Sequence, residues 1–270
     1  MNPFAPIRTE PLVADGVNTG YRMVQLEQTK NMDDRMTIKE WSDIGKPVSA
    51  SYLLIPNIEV KDVLLDIADL TPWKWSQPQN FFDGKRYMVT MTSEEIQADV
   101  TVNDPVSLGI GAWNSYDGSK AFSLFMFIIR LICENGMLSK DMFNTFRFRH
   151  TQDNDNWSED VTGATNFIKN GPEKLEEWIK SAKNLLKPID NIADLKTIRE
   201  NHIKDIPVTT YGKIMDRFLS DEEEKTGWGF LNAGTNVLWH SKTPTVSMYD
   251  QNAQFTDAML GYNPKEVISA

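Results

Sequence analysis

The sequence predicts an α+β fold: an antiparallel sheet centred on a long hairpin, packed with helices, with a helical C-terminal half. Three observations carry this. Asp117-Gly118 is a turn dipeptide set between two apolar runs. Residues 85–92 alternate with the period of a strand. From about Asn156 the apolar spacing becomes helical.

Taken in order, residues 1–30 hold Pro3, Pro6 and Pro11 among scattered polar residues. They are expected to form an irregular arm, disordered or packed on a neighbouring subunit, and residues 1–47 are set apart as an N-terminal arm. Residues 36–44 have mixed periodicity. Residues 48–155 are expected to form a sheet-containing core. In it, residues 49–55 (SASYLLI) read as a strand ended by Pro56-Asn57. Residues 59–70 read as an amphipathic helix with Glu59 in its first turn, where an acid suits the helix dipole, and Thr71-Pro72 stops it. Residues 73–82 are aromatic and contain proline, and read as loop. After a turn at Asp83-Gly84, Tyr87, Val89 and Met91 share one face of a strand, and residues 96–102 suggest a short strand opposite.

The hairpin follows. If Tyr116 and Ser119 close the turn, Trp113 faces Phe122, Gly111 faces Leu124 and Gly109 faces Met126. The two glycines leave room for large side chains or for a ligand. Residues 121–129 are apolar on both faces except Ser123, as in a central strand covered on both sides. A buried helix competes for such a run, and the preceding Asp-Gly turn favours the strand. Residues 143–151, if extended, point Phe146 and Phe148 one way and Arg147 and Arg149 the other.

Residues 156–245 form the helical part of the same domain, with helices expected over 158–169, 172–186, 192–203, 211–219 and 228–239. Pro172 suits a first helical turn. Residues 246–270 are expected to be a docking tail with a short apolar segment at 255–260.

Composition bounds the function. The chain has 270 residues, 40% of them hydrophobic, enough for a sizeable core. One cysteine, Cys133, excludes an internal disulfide and fits a reducing cytoplasm. It is expected to be buried and dispensable. No basic segment leads an apolar one at the N-terminus, so no signal peptide is expected. No apolar run approaches the ~20 residues that span a bilayer, so no membrane partner is expected. The net charge of −10 argues against indiscriminate nucleic-acid binding but leaves room for a local basic strip.

Catalytic motifs are absent from the sequence. His150, His202 and His240 do not sit at metal-ligand spacing, and no nucleophile elbow or phosphate loop occurs. His150 with Asp153 and Asp155 reads as a loop of solvated acids. No catalytic residue, metal or cofactor is therefore expected. What does cluster in the sheet region is cationic and aromatic. Lys85, Arg86, Lys120, Arg130, Arg147, Arg149 and His150 lie among Trp113, Tyr116 and Phe148. Single-strand binders pair a cationic groove with stacking platforms of this kind. Glu94, Glu95, Asp99, Asp117, Glu134 and Asp141 share the region, so a half-exposed sheet of mixed charge is the competing reading.

Several motifs carry a family resemblance. NSYDGSKAF holds Asn114, Ser115, Asp117 and Gly118; IIRLICENGM holds Arg130, Cys133 and Asn135; Arg149, His150 and Thr151 follow. With SASYLLIPNIEV and GFLNAGTNVLWH, they resemble the phage/plasmid-like protein family, a domain of unknown function found in bacteriophages, prophages and plasmids. The resemblance spans about Val48 to His240 and brings no catalytic residues. It implies an accessory role in recombination, replication or evasion of host defence, in the host cytoplasm if phage-encoded. A hairpin-centred sheet backed by helices is also similar to the cores of phage single-strand annealing proteins, an analogy of fold alone.

The leading expectation is a non-enzymatic DNA-transaction protein. It binds single-stranded DNA, as a homo-oligomer, and promotes strand annealing in recombination. Lys85, Arg86, Arg147 and Arg149 would line a strip, with Trp113 or Tyr116 as stacking surface. The alternative is an interaction module that binds or inhibits a host protein, with Trp73 and Trp75 as anchors. A third class is an enzyme, such as a nuclease, whose carboxylates assemble only in the fold. The directions of Arg130 and Arg149 discriminate: convergence in one groove favours an anion, and burial in ion pairs disfavours it.

Overall fold

The computed structural model describes residues 2–33, 36–139, 146–148, 150, 157–189, 195–196, 198–200, 203–204, 206–220, 224–240 and 246–261. Its strands form two sheets. The first is three-stranded and antiparallel, from β1 (Ile7–Ala14), β2 (Val17–Asp33) and β3 (Met36–Ser49). The irregular arm expected over residues 1–30 is thus strand. Asp15 and Gly16 both adopt positive φ, +49° and +79°, and close a two-residue turn pairing Ala14 with Val17. That is the tight turn an Asp-Gly dipeptide favours. Pro11 lies on the outer strand, the sheet position where a missing N–H is tolerated. Val24, Leu26, Ile44 and Val48 form the buried face, packed with Tyr116 of the hairpin loop.

The second sheet has six strands. They are β4 (Gln79–Phe82), β5 (Arg86–Thr101), β6 (Asp104–Ser115), β7 (Phe122–Arg130), β8 (Asn135–Met137) and β9 (Phe146–Phe148). The order is β4-β5-β6-β7, with β8 and β9 both pairing with β7. β7 is therefore central and buried over most of its length, as its two-sided apolar pattern requires.

The hairpin register lies one residue from the expected one. Trp113 pairs with Ser123, Gly111 with Phe125 and Gly109 with Phe127. The cause is a longer loop. Ser115 Oγ both donates to the Lys120 carbonyl and accepts its N–H (2.8 and 2.9 Å), so closure falls one residue beyond the Asp117-Gly118 turn. The two glycines do make room. A Cβ on Gly109 or Gly111 would come within 2.3 or 2.4 Å of the Phe127 or Phe125 ring.

Three further expectations are corrected. Residues 49–55 are not a strand: β3 ends at Ser49, and Leu53 pairs its N–H and carbonyl with His150 (3.1 and 2.9 Å) instead of with a ladder. Residues 96–102 do not form an opposing strand, because β5 runs through a register shift between Thr92 and Gln97 and continues to Thr101. Within the expected loop 73–82, Gln79–Phe82 is the edge strand β4.

Alternation along β5, β6 and β7 sorts side chains onto two faces. One face (Tyr87, Val89, Leu108, Ile110, Leu124, Met126) joins the main core. That core is shared with α1 (Asn57–Asp69), α2 (Trp157–Lys169), α3 (Gly171–Lys183), α4 (Val208–Leu219) and α5 (Gly227–Trp239). A 3-10 turn, Asn184–Leu186, extends α3. The other face gathers Met88, Trp113, Phe125 and Phe127 under Tyr249 and Ala253 of α6 (Val246–Leu260), with Trp239 beside them. The expected tail thus contains a helix that covers the second face of the sheet.

Candidate nucleic-acid interface

One row of paired residues crosses the second face: Met88 on β5, Trp113 on β6, Ser123 on β7 and Arg147 on β9. Cross-strand partners point to the same side, so this register brings Trp113 and Arg147 to one surface. α6 lies over part of that surface. Tyr249 meets Trp113 edge-on, with centroids 4.8 Å apart, and Trp113 lies over Phe125 at 5.8 Å. Beside this stack opens a cleft of about 650 Å³. Its buried lining includes Trp113, Phe125, Leu138, Ser139 and Ala253; Ser119, Arg147 and Asp250 are exposed, and Lys120 is partly exposed.

The hairpin loop places Lys120 at this cleft. Asp117 Oδ1 accepts the Ser119 N–H (3.1 Å), and Asp117 Oδ2 lies 3.6 Å from Lys85 Nζ. Burial pushes the Asp117 carboxyl upward. The Ser119 hydrogen bonds and the Lys85 and Arg86 charges outweigh it and hold the group below the usual carboxylate value. Lys120 Nζ donates to Asp250 Oδ1 at 3.1 Å and lies 5.9 Å from the Trp113 ring centroid. Arg147 is exposed and, among the described residues, has no ion pair.

The structure thus brings Trp113, Lys120 and Arg147 together and sends the other anticipated residues elsewhere. Lys85 and Arg86 are outside the cleft, and Arg86 Nε lies 3.9 Å from Asp83 Oδ2. Tyr116 is 1% exposed, and its hydroxyl accepts the Asn57 N–H at 3.1 Å. Burial raises its pKa to about 12. A ring so enclosed offers no stacking platform, and its role is to join the two sheets. Arg130 makes a two-pronged contact to Asp104 (2.7 and 2.9 Å), which also accepts from Trp228 Nε1 at 2.8 Å. An arginine held this way is an internal tie, so at Arg130 the discriminating observation goes against a shared anion groove. His150 Nδ1 donates to the Leu53 carbonyl, Nε2 accepts the Phe122 N–H at 3.0 Å, and the ring stacks on Tyr52. Burial lowers its pKa, so the neutral ring is a structural staple and not a phosphate contact. Arg149 lies outside the described residues, as do Thr151, Asp153, Asp155 and His202.

The family-like turn motif is likewise structural. Asn114 Nδ2 donates to Ile55 O and Asn57 Oδ1, each at 2.9 Å, and Tyr52 OH donates to Ser115 O at 2.7 Å. Together these fasten the hairpin loop to the start of α1. Cys133 is only half-buried, contrary to expectation, in the turn between β7 and β8, with Arg130 Nη1 3.5 Å from its sulfur. Among the described residues no group of three or more His, Cys, Asp or Glu is placed to hold a metal ion. None of the described helices is long and apolar enough to cross a membrane. Trp73 and Trp75 pack edge-to-face on one another, partly buried against the main core.

Sequence reasoning missed Tyr249, Asp250, Ser139 and Ala253. The apolar segment at 255–260 signalled that the C-terminal stretch docks, but nothing local marked which surface it meets.

The fold and cleft define a two-sheet α+β protein with a partly aromatic, cation-bordered cleft under its last described helix. Residues 46–260 match the family described as Domain of unknown function (DUF932), and the chain belongs to it. No curated protein and no solved structure matches the chain.

Proposed function

We propose that the protein binds single-stranded DNA across this cleft and supports strand annealing in recombination, in the phage or plasmid setting that the sequence resemblance implies. One observation carries the reading: Trp113, Lys120 and Arg147, from a strand, a loop and a second strand, border a single cleft of about 650 Å³. Single-stranded DNA is a chain of anions bearing flat rings. A surface with cations beside an aromatic edge meets both components without reading sequence. The small number of open cations and the net charge of −10 make the contact local, with a shallow salt slope set by the one or two phosphates it neutralises. A homo-oligomer would join short contacts from several subunits into one track and raise the effective concentration of each.

The test is fluorescence anisotropy with labelled oligodeoxynucleotides at low and moderate salt. Affinity falls as salt rises, because each neutralised phosphate releases counterions. Arg147→Ala weakens binding of all sequences and flattens the logarithmic salt slope by about 0.7, the increment for one single-strand phosphate contact. No binding at low salt, or an Arg147→Ala variant that binds as wild type does, overturns the reading. An interaction module directed at a host protein would then be the better account.

A further inference from the structure

We infer that the cleft is a nucleotide pocket: it takes one nucleobase out of the DNA stack, with the adjoining phosphate at Arg147. The inference rests on the DNA-binding reading and goes beyond it. A strand can cross a cationic surface with every base outside, held by phosphates alone, whereas a pocket for a base requires depth and a change of polarity between floor and rim.

The cleft has both. Trp113 is 9% exposed, Leu138 8%, Phe125 3% and Ala253 4%, so these form a buried apolar part of the lining, with the hydroxyls of Ser123 and Ser139 beside them. At the rim, the Asp250 and Lys120 side chains are 49% and 29% exposed, and Arg147 is open to solvent. A nucleotide has the same polarity, with an apolar-faced ring at one end and an anion at the other. The volume of about 650 Å³ falls within the roughly 300–1,000 Å³ typical of small-molecule pockets, so one such unit is a fitting occupant.

The Lys120–Asp250 pair adds a second feature. It presents an N–H donor and a carboxylate acceptor 3.1 Å apart at the cleft. Each of the four bases displays a donor and an acceptor side by side on its Watson–Crick edge. One donor–acceptor pair therefore satisfies an extruded base while tolerating its identity. The edge is free only in a single strand, so the pocket selects against intact duplex.

The experiment compares three ligands on the full chain by calorimetric titration. They are an oligodeoxynucleotide, an abasic oligomer of equal length, and deoxycytidine monophosphate with inorganic phosphate as its control. Loss of stacking and edge contacts is expected to weaken the abasic oligomer by about tenfold or more. Deoxycytidine monophosphate is expected to bind more tightly than inorganic phosphate. Ala253→Phe, which fills the cleft from α6, is expected to abolish that advantage. Equal affinity for the abasic and base-bearing oligomers, or undiminished nucleotide binding by a folded Ala253→Phe variant, overturns the pocket while leaving the DNA-binding reading in place. Failure of both oligomers, with monophosphate binding that Ala253→Phe removes, overturns DNA binding and with it the extrusion of a base, and leaves a site for a free nucleotide. The comparison on the unmodified protein stands even if the variant does not fold.

Discussion

His150 holds two other pieces of chain together through one neutral ring: Tyr52-Leu53 before α1, by stacking and a hydrogen bond, and Phe122 at the start of β7. Since Nε2 accepts a backbone N–H, protonation there would set two donors against each other. Burial lowers the folded pKa below the ordinary value of 6.5. The unfolded chain therefore takes up the proton first as pH falls. The stabilisation is complete above about 6.5 and is lost progressively as pH drops toward the folded value. Wild-type stability should decline as pH falls below about 6.5, and His150→Gln should lack that part of the decline. His150→Ala should cost about 1–3 kcal/mol at neutral pH, since the Phe122 N–H is left buried without its partner. Chemical denaturation at several pH values measures both; a His150→Gln profile parallel to wild type would refute the assignment.

At the scale of elements, the turn motif and the Asp104 tie fix where the hairpin and α5 sit. The Asp104 side chain is 7% exposed and takes Arg130 from β7 and Trp228 from α5. Asp104→Ala removes the buried carboxylate that ties Arg130 to Trp228, and breaking a buried pair of this kind costs about 3–5 kcal/mol. Equilibrium denaturation should show that loss, with the Trp228 environment disturbed in the near-ultraviolet spectrum. β6 and β7 are coupled in a different way. Gly111 yields its side-chain space to Phe125, so Gly111→Ala forces that ring from its seat. Overpacking of this sort costs about 1–3 kcal/mol and should also displace Trp113, which lies over Phe125. A Gly111→Ala variant with wild-type stability would refute the close packing of that pair.

For the whole molecule, the N-terminal sheet is joined to the larger one at Tyr116, although the family match begins only at residue 46. Gly45 lies against Asp117 so closely that an added Cβ would meet it at 2.4 Å. A chain starting at residue 50 should be less stable by about 2–3 kcal/mol, roughly the burial of one large ring such as Tyr116. Its unfolding midpoint in denaturant, set beside that of the full chain, tests this; an unchanged midpoint would make the N-terminal sheet an independent appendage. The sequence by itself determined the antiparallel sheet on its Asp117-Gly118 hairpin, the two-sided burial of β7, the facing of Tyr87, Val89 and Met91, and the helices after residue 156. Those features follow from local periods of two and 3.6 residues and from turn chemistry, which need no distant partner. Asp15-Gly16 is a turn dipeptide of the same kind, masked in the sequence by the prolines near it. Tertiary structure alone decided which cations are spent and which stay open. Arg130 is committed to Asp104, 26 residues away, and Lys120 meets Asp250 across 130 residues. The cleft arises in the same way, from a sheet row that places Arg147 on the side of Trp113 and a helix from the far end of the chain laid beside them. Charge pairing and concavity depend on packing between distant segments, and no local pattern encodes them.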